Sequence, residues 1–347
     1  MKIGAYGIGP DHPPFVVAEL SGNHGGSLER ARALVEAAAE AGAHAIKLQT
    51  YTPDTMTIDV AEREFVIDDP ESPWHGSTLY DLYERAQTPW EWHAELFELA
   101  AARGMAAFSS PFDATAVDFL ETLGVPAYKI ASLENVDLPL IRRVAATGKP
   151  MIISTGLATL AEIDLAVAAA MEAGARELAL LQCTTSYPAD PSDSNLAVIP
   201  RLRELFGCEV GLSDHTLGVG APLAAVALGA TIVEKHLTLR RSDDDVDAAF
   251  SMEPDELAQL VLQSEVAWRA RGTVAFGPSA GERTSLRLRR SLYVTSDLEA
   301  GAVLDETNVR AIRPGLGLAP VHLDAVLGRR VRTAVPRGTP LRWDLLG

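Results

Sequence analysis

The feature that most constrains this chain is an alternation, repeated eight times, of a short apolar run with a longer segment rich in Ala, Leu and Glu. The runs are FVVAEL (15–20), AIKLQT (45–50), MAAFSS (105–110), AYKIAS (127–132), MIIST (151–155), LALLQCT (178–184), EVGLSD (209–214) and TIVEKH (231–236). Segments such as 28–42 and 160–174 lie between them and end in Ala-Gly, a helix stop. Near-continuous apolar strands, each followed by a helix, specify a parallel sheet covered on both faces. Eight units in roughly 250 residues match a (β/α)8 TIM barrel, an α/β fold. A doubly wound open sheet is the rival and usually has fewer strands.

One connection breaks the rhythm. Residues 51–88, with Pro, Asp, Trp74 and His75, separate the second strand from its helix. Loops this long carry function or extra elements, and this one is expected on the catalytic face. A second break follows residue 272. GTVAFGPSAGERTSLRLRR reads as a linker, and short strands with Gly-centred turns follow. SDLEAGAVL (296–304) and TAVPRGTPL (333–341) echo each other. The expected organisation is a catalytic barrel over 1–272, a linker over 273–289 and a small β-rich module over 290–347.

The net charge of −17 argues against nucleic acid as a partner. Two cysteines, Cys183 and Cys208, give no disulfide framework and fit a reducing cytoplasm. The N-terminus lacks the apolar run of a signal peptide. No stretch approaches the ~18 apolar residues of a membrane span. A cytoplasmic protein is expected.

Barrel enzymes build their sites at the C-terminal ends of the strands. Here those ends carry Glu19, Asn23 and His24; Lys47 and Gln49; Ser109 and Ser110; Lys129, Ser132 and Glu134; Ser154 and Thr155; Thr184, Thr185, Ser186 and Tyr187; Ser213, Asp214 and His215; and Glu234, Lys235 and His236. Two lysines and a ring of hydroxyls suit a phosphate and a carboxylate. Two histidines on neighbouring strands suit one divalent metal with open positions. A carboxylate such as Glu134 can orient water or move a proton. Together these types point to phosphoenolpyruvate chemistry.

The motifs AELSGNHGGSLERA, AIKLQTY, FSSPF, YKIAS, ISTG, LLQCTTSYP, VGLSDHT and VEKH resemble, in order and spacing, those of the sialic acid synthase family. RSLYVTSDLEAGAVL and IRPGLGL resemble its C-terminal antifreeze-like (SAF) domain. LYDLYERAQTPWEWH (79–93) and AFSMEPDEL (249–257) resemble the pseudaminic acid branch, and ELSGNH replaces the EIGVNH of the N-acetylneuraminate and legionaminate branches. The resemblance implies a transferase that condenses phosphoenolpyruvate with the open-chain aldehyde of an N-acetylated amino sugar. Water attacks C2, and C–O cleavage releases phosphate. It implies that Lys47, Ser110, Lys129, Ser132, Ser154, Thr185 and Ser213 hold phosphoenolpyruvate. His215 and His236 would bind Mn2+ or Mg2+, Glu134 would position the water, and Glu19, Tyr187 and Asp247 would face the sugar. Arg313 would reach the sugar from the partner subunit of a homodimer with swapped SAF domains. Thr185 departs from the Asn of the N-acetylneuraminate branch, though a hydroxyl can still donate there.

Plainer readings stand beside these. His215 alone is more often a hydrogen-bonded structural histidine; the pairing with His236 favours metal. Lys47 and Lys129 could form rim salt bridges, or Lys129 a Schiff base as in aldolases. Glu19 is balanced between an ion pair with a lysine and a sugar contact. The acidic run at 243–247 is by default a solvated loop, in which only Asp247 matches the family. His24 and His44 read as structural, Trp90 and Trp92 as packing, and Cys183 as filling space. The rival functions are N-acetylneuraminate or legionaminate synthesis, a Schiff-base sugar aldolase, and a non-catalytic binding protein built around the tail.

Overall fold

The structure, a computed structural model, describes every residue except Glu71, Pro73 and Asp244. The chain forms two compact units, Met1–Gly272 and Thr273–Gly347.

The first unit opens with a small hairpin, β1 (Lys2–Ile3) and β2 (Tyr6–Gly7). Eight parallel strands follow: β3 (Phe15–Glu19), β4 (Ala45–Thr50), β5 (Ala106–Pro111), β6 (Tyr128–Ile130), β7 (Met151–Ser154), β8 (Leu178–Cys183), β9 (Glu209–Asp214) and β10 (Ile232–His236). They pair in chain order, and β10 returns to β3, closing the barrel. Successive residues of a strand fall into different cores. Phe15 and Val17 join Phe108, Ile152, Leu181 and Ile232 in a cluster that only the barrel interior can assemble, and Ile3 and Ile8 belong to it. Val16 and Ala18 pack instead with Leu34, Val35 and Leu257 of the surrounding helices. The interior is tight enough that a β-carbon on Gly211 in β9 would lie 2.3 Å from the Ile232 carbonyl oxygen.

The helices follow from local chemistry. In α1 (Leu28–Glu40) the Ser27 side chain caps the Arg30 N–H, and Leu34, Val35 and Ala38 form the buried stripe. Gly42, at φ +82°, then turns the chain in a conformation that favours glycine. The long connection after β4 holds two helices of its own, α2 (Pro53–Met56) and α3 (Leu79–Ala86), before α4 (His93–Ala102).

In the second unit, Ala280–Leu288 forms a 3-10 helix within the stretch that reads as a linker. Strands β11 (Ser291–Val294) and β12 (Val309–Ile312) pair antiparallel. The two echoing segments pair with each other: Leu298 N donates to Val335 O at 2.9 Å and Val335 N to Leu298 O at 2.8 Å. Their glycines, Gly301 and Gly338, share a left-handed backbone, and their leucines, Leu304 and Leu341, enter one small core.

Candidate active site

Because side chains alternate along a strand, the upper interior of the barrel is set by the residue types two steps beyond the apolar layer. Val17 is followed by Glu19, Ala45 by Lys47, Phe108 by Ser110, Ala127 by Lys129, Ile152 by Ser154, Gly211 by Ser213 and Ile232 by Glu234. The result is a buried polar layer on an apolar floor. Lys47 forms an ion pair with Glu19 and lies 3.6 Å from Glu234 and 3.3 Å from the Ser110 hydroxyl. Lys129 also lies 3.6 Å from Glu234. Ser213 donates to Glu234 Oε1 at 3.2 Å.

Burial pulls the Lys47 ammonium down, but Glu19 and Glu234 outweigh it and its pKa ends raised. For Lys129 burial prevails over Glu234, with Lys47 adding to it, and its pKa is lowered. Burial raises the carboxyl of Glu19 despite Lys47. Glu234 is held below the usual range because Lys129 and Lys47 together outweigh burial. The layer therefore holds one firm carboxylate between two ammonium groups.

Beside it the hydroxyls of Ser154 and Thr185 are buried without a hydrogen-bond partner. Such an orphan costs ~1–3 kcal/mol, so the pair is suited to an incoming acceptor. Ser132 Oγ accepts from the Gly156 N–H at 3.2 Å. A β-carbon on Gly156 would come within 2.4 Å of Thr185 Oγ1 and 2.6 Å of Ser132 Oγ, so glycine is what lets these hydroxyls converge. Asn135 ties the turn down, donating to the carbonyls of Ser154 at 3.2 Å and Gly156 at 3.0 Å.

Across the barrel, the rings of His215 and His236 lie 5.3 Å apart. His215 Nδ1 meets the Thr184 carbonyl at 2.8 Å, and a carbonyl can only accept. Its Nδ1 thus carries a proton. His236 Nδ1 lies 3.1 Å from Ser21 Oγ, and burial holds this imidazole neutral, with His215 adding to the effect. Asp247 Oδ2 lies 3.7 Å from the same nitrogen, and burial raises its carboxyl. Burial lowers the His215 pKa, but Cys183 and the Thr184 carbonyl outweigh it and it ends raised. Two imidazoles with their Nδ1 atoms engaged present the nitrogen donors that a divalent cation takes. No group of three or more His, Cys, Asp or Glu ligands converges among the described residues. A cation here would keep most positions open for water and substrate.

These groups line a cavity of about 210 Å3. The long connection supplies its outer wall through Met56, Trp74, Leu82 and Tyr83. Trp74 Nε1 donates to the Val246 carbonyl at 2.9 Å, and its ring lies 5.8 Å from that of Tyr187. Glu134 borders the cavity with Oε2 unpartnered. Loss of water raises its pKa to about 7, with Lys129 opposing.

Ten of the residues singled out from the sequence line this cavity: Lys47, Lys129, Ser132, Glu134, Ser154, Tyr187, Ser213, His215, His236 and Asp247. Glu19 and Ser110 reach it through Lys47, and Thr185 through Gly156. In this structure Glu19 is the ion-pair partner of Lys47. Arg313 is exposed on the second unit, just after β12.

Three strand-end groups point elsewhere. Asp214 and Lys235 form a wholly buried ion pair at 2.9 Å outside the barrel, and Lys235 also donates to the Thr216 carbonyl. Ser109 joins Thr50 and His93 in a buried polar cluster. Cys183 lines the cavity near His215, which is more than filling space. Asp243 and Asp245 pair with Arg30 and are not a merely solvated run; Asp244 lies outside the described residues. Sequence reading assigned no role to Glu234 or Ser21. The signal for Glu234 was its register with His236, two residues on along the same strand.

A model of the NeuB family matches residues 34–275, and one of the SAF domain matches residues 289–347. The pseudaminic acid synthase of Helicobacter pylori is 42% identical over 335 residues, covering 96% of this chain and 97% of its own. That of Campylobacter jejuni serotype O:23/36 is 40% identical, covering 99% of this chain and 98% of its own. Among solved structures, the N-acetylneuraminic acid synthetase of Leptospira borgpetersenii in complex with citrate matches with a TM-score of 0.74 at 32% identity, covering 82% of this chain and 94% of that one. With a family model matching most of the chain and relatives at this identity along nearly its whole length, the protein belongs to the NeuB family, built as a TIM barrel with a C-terminal SAF domain.

Proposed function

We propose that this chain is a pseudaminic acid synthase. It condenses phosphoenolpyruvate with open-chain 2,4-diacetamido-2,4,6-trideoxy-altrose and releases phosphate. The observation that carries the reading is the buried polar layer: two lysines around Glu234, with the unpartnered hydroxyls of Ser154 and Thr185, across from a histidine pair. That set matches an ester phosphate and a carboxylate presented together. The identity of about 40% to pseudaminic acid synthases supports the choice of sugar.

Lys47 and Lys129 neutralise the two anionic ends of phosphoenolpyruvate, and Ser110, Ser132, Ser154, Thr185 and Ser213 direct hydrogen bonds to their oxygens. His215 and His236 would hold Mn2+ or Mg2+, and such a cation would supply polarisation of the sugar aldehyde. Tyr187 and Asp247 border the sugar and exclude bulk water with Trp74 above, while Glu19 acts through Lys47. C3 of phosphoenolpyruvate bonds to the aldehyde carbon, and the aldehyde oxygen gains a proton. A water oriented by Glu134 adds to C2 and gives its proton to that carboxylate. The C2–O bond to phosphate then breaks with its electron pair leaving on phosphate, and the C2 hydroxyl gives up its proton as the ketone forms. Arg313 completes the sugar site from the partner subunit of a cytoplasmic homodimer.

The test is phosphate release from phosphoenolpyruvate with each of three sugars: the altrose sugar, N-acetylmannosamine and the legionaminate precursor. A site that hydrogen-bonds substituents discriminates by up to ~10^4-fold, so the altrose sugar should be strongly preferred. Equal turnover of N-acetylmannosamine would refute the choice of sugar. The lowered pKa of Lys129 favours one other reading, a Schiff-base aldolase. Borohydride with pyruvate would then trap the chain covalently and chelators would spare activity; the synthase reading expects neither.

A further inference from the structure

Ser21 adopts a left-handed backbone at φ +40°, where a β-carbon is penalised and glycine is not. Backbone strain of this kind persists where the surroundings hold it in place, and it clusters at functional sites. Ser21 is fully buried, and its backbone N–H donates to Glu19 Oε1 at 2.9 Å. Its hydroxyl lies 3.1 Å from His236 Nδ1. Glycine would satisfy the backbone and supply no such hydroxyl.

A hydroxyl can donate or accept, and a histidine that ligates a cation through Nε2 carries its proton on Nδ1. The Ser21 oxygen is placed to accept that Nδ1–H of His236. The Thr184 carbonyl takes the Nδ1–H of His215 in the same way. Each imidazole thus has its own orienting group, a carbonyl for one and a hydroxyl for the other.

We propose that Ser21 is a positioning residue whose hydroxyl accepts the Nδ1–H of His236 and so fixes that tautomer, holding Nε2 ready for a divalent cation. The inference rests on the metal reading of the histidine pair given above. Groups that orient a ligating histidine typically change metal affinity 10–100-fold when removed.

The test uses the full-length chain with Ser21→Gly and Ser21→Ala. Free Mn2+ is followed by electron paramagnetic resonance during titration, imidazole tautomers in the metal-free protein by 15N NMR, and stability by thermal melting. Ser21→Gly removes the strain and the hydroxyl together. It should melt at or above the wild-type temperature yet bind Mn2+ about 10–100-fold more weakly, with the Nδ1–H tautomer of His236 lost. Ser21→Ala keeps the strain, so it should melt lower and show the same loss of affinity. Wild-type Mn2+ affinity in Ser21→Gly would overturn the proposal, as would an unchanged His236 tautomer. If the wild-type chain bound no Mn2+, the metal reading would fall, and the tautomer measurement alone would judge Ser21.

Discussion

Glu134 offers a perturbation whose effects on stability and on activity have opposite signs. Its carboxyl borders the cavity, Oε2 has no partner, and burial raises its pKa from 4.5 to about 7. At ~1.4 kcal/mol per pH unit, that rise is worth about 3 kcal/mol, less what solvent at the cavity mouth screens. The folded state binds this proton more tightly than the unfolded chain does. The contribution to stability is therefore complete below pH 4.5 and is lost as the pH rises through about 7. Glutamine is neutral at every pH. Glu134→Gln should match the wild type near pH 4.5 and exceed it at pH 8.5 by about 2–3 kcal/mol, read as a gap in melting temperature that opens with pH. Activity should move the other way. Losing the group that takes the proton from water should lower kcat by ~10^2–10^4 and abolish any rising limb of the pH–rate profile centred near 7. Parallel melting curves for the two proteins across this range would refute the buried, proton-binding carboxyl. Persistence of the limb in Glu134→Gln would refute its role with water.

His215→Ala or His236→Ala should lower activity at least ~100-fold with little change in melting temperature; full activity after exhaustive chelation would remove the metal from the mechanism. Lys235→Met leaves Asp214 buried without its ion-pair partner and should cost ~3–5 kcal/mol in urea unfolding. Adding Asp214→Leu should recover most of that loss, and failure to recover would mean that the pair does more than neutralise itself. Arg313→Ala and His215→Ala chains, each inactive alone, should regain activity when mixed under conditions of subunit exchange; no recovery despite proven exchange would exclude action across subunits.

The barrel was legible because its strands are buried on both faces and its helices on one, so two different periodicities alternate along the chain. The eight observed strands begin and end within two residues of the eight apolar runs. The tail was legible at a coarser grain. The echo of 296–304 and 333–341 announced two similar turns, but not that Leu298 and Val335 would pair with each other. Within the stretch read as a linker, composition rich in Gly, Ser and Arg masked the 3-10 helix at Ala280–Leu288, which Ser279 and Glu282 cap reciprocally.

Strand ends were read as a set, whereas a strand presents alternate residues to alternate faces. Applied strictly, the period of two separates Ser213 and His215 from Asp214, and Glu234 and His236 from Lys235, as the structure does. The same rule would have placed Glu234 between the two lysines and raised the question of what it does there. Two ammonium groups cannot be buried at hydrogen-bonding range of one anion site without a counter-charge while that site is empty. Glu234 supplies the firm charge, and it stays ionised because both lysines face it. Glu19, whose carboxyl burial has raised, supplies a second charge that is easier to neutralise by a proton. The layer can thus remain folded and near neutral without ligand, and it can shift toward positive when an anion arrives. The hydroxyls do not titrate, so they serve both states: unpartnered at Ser154 and Thr185 in one, and donating to the ligand in the other.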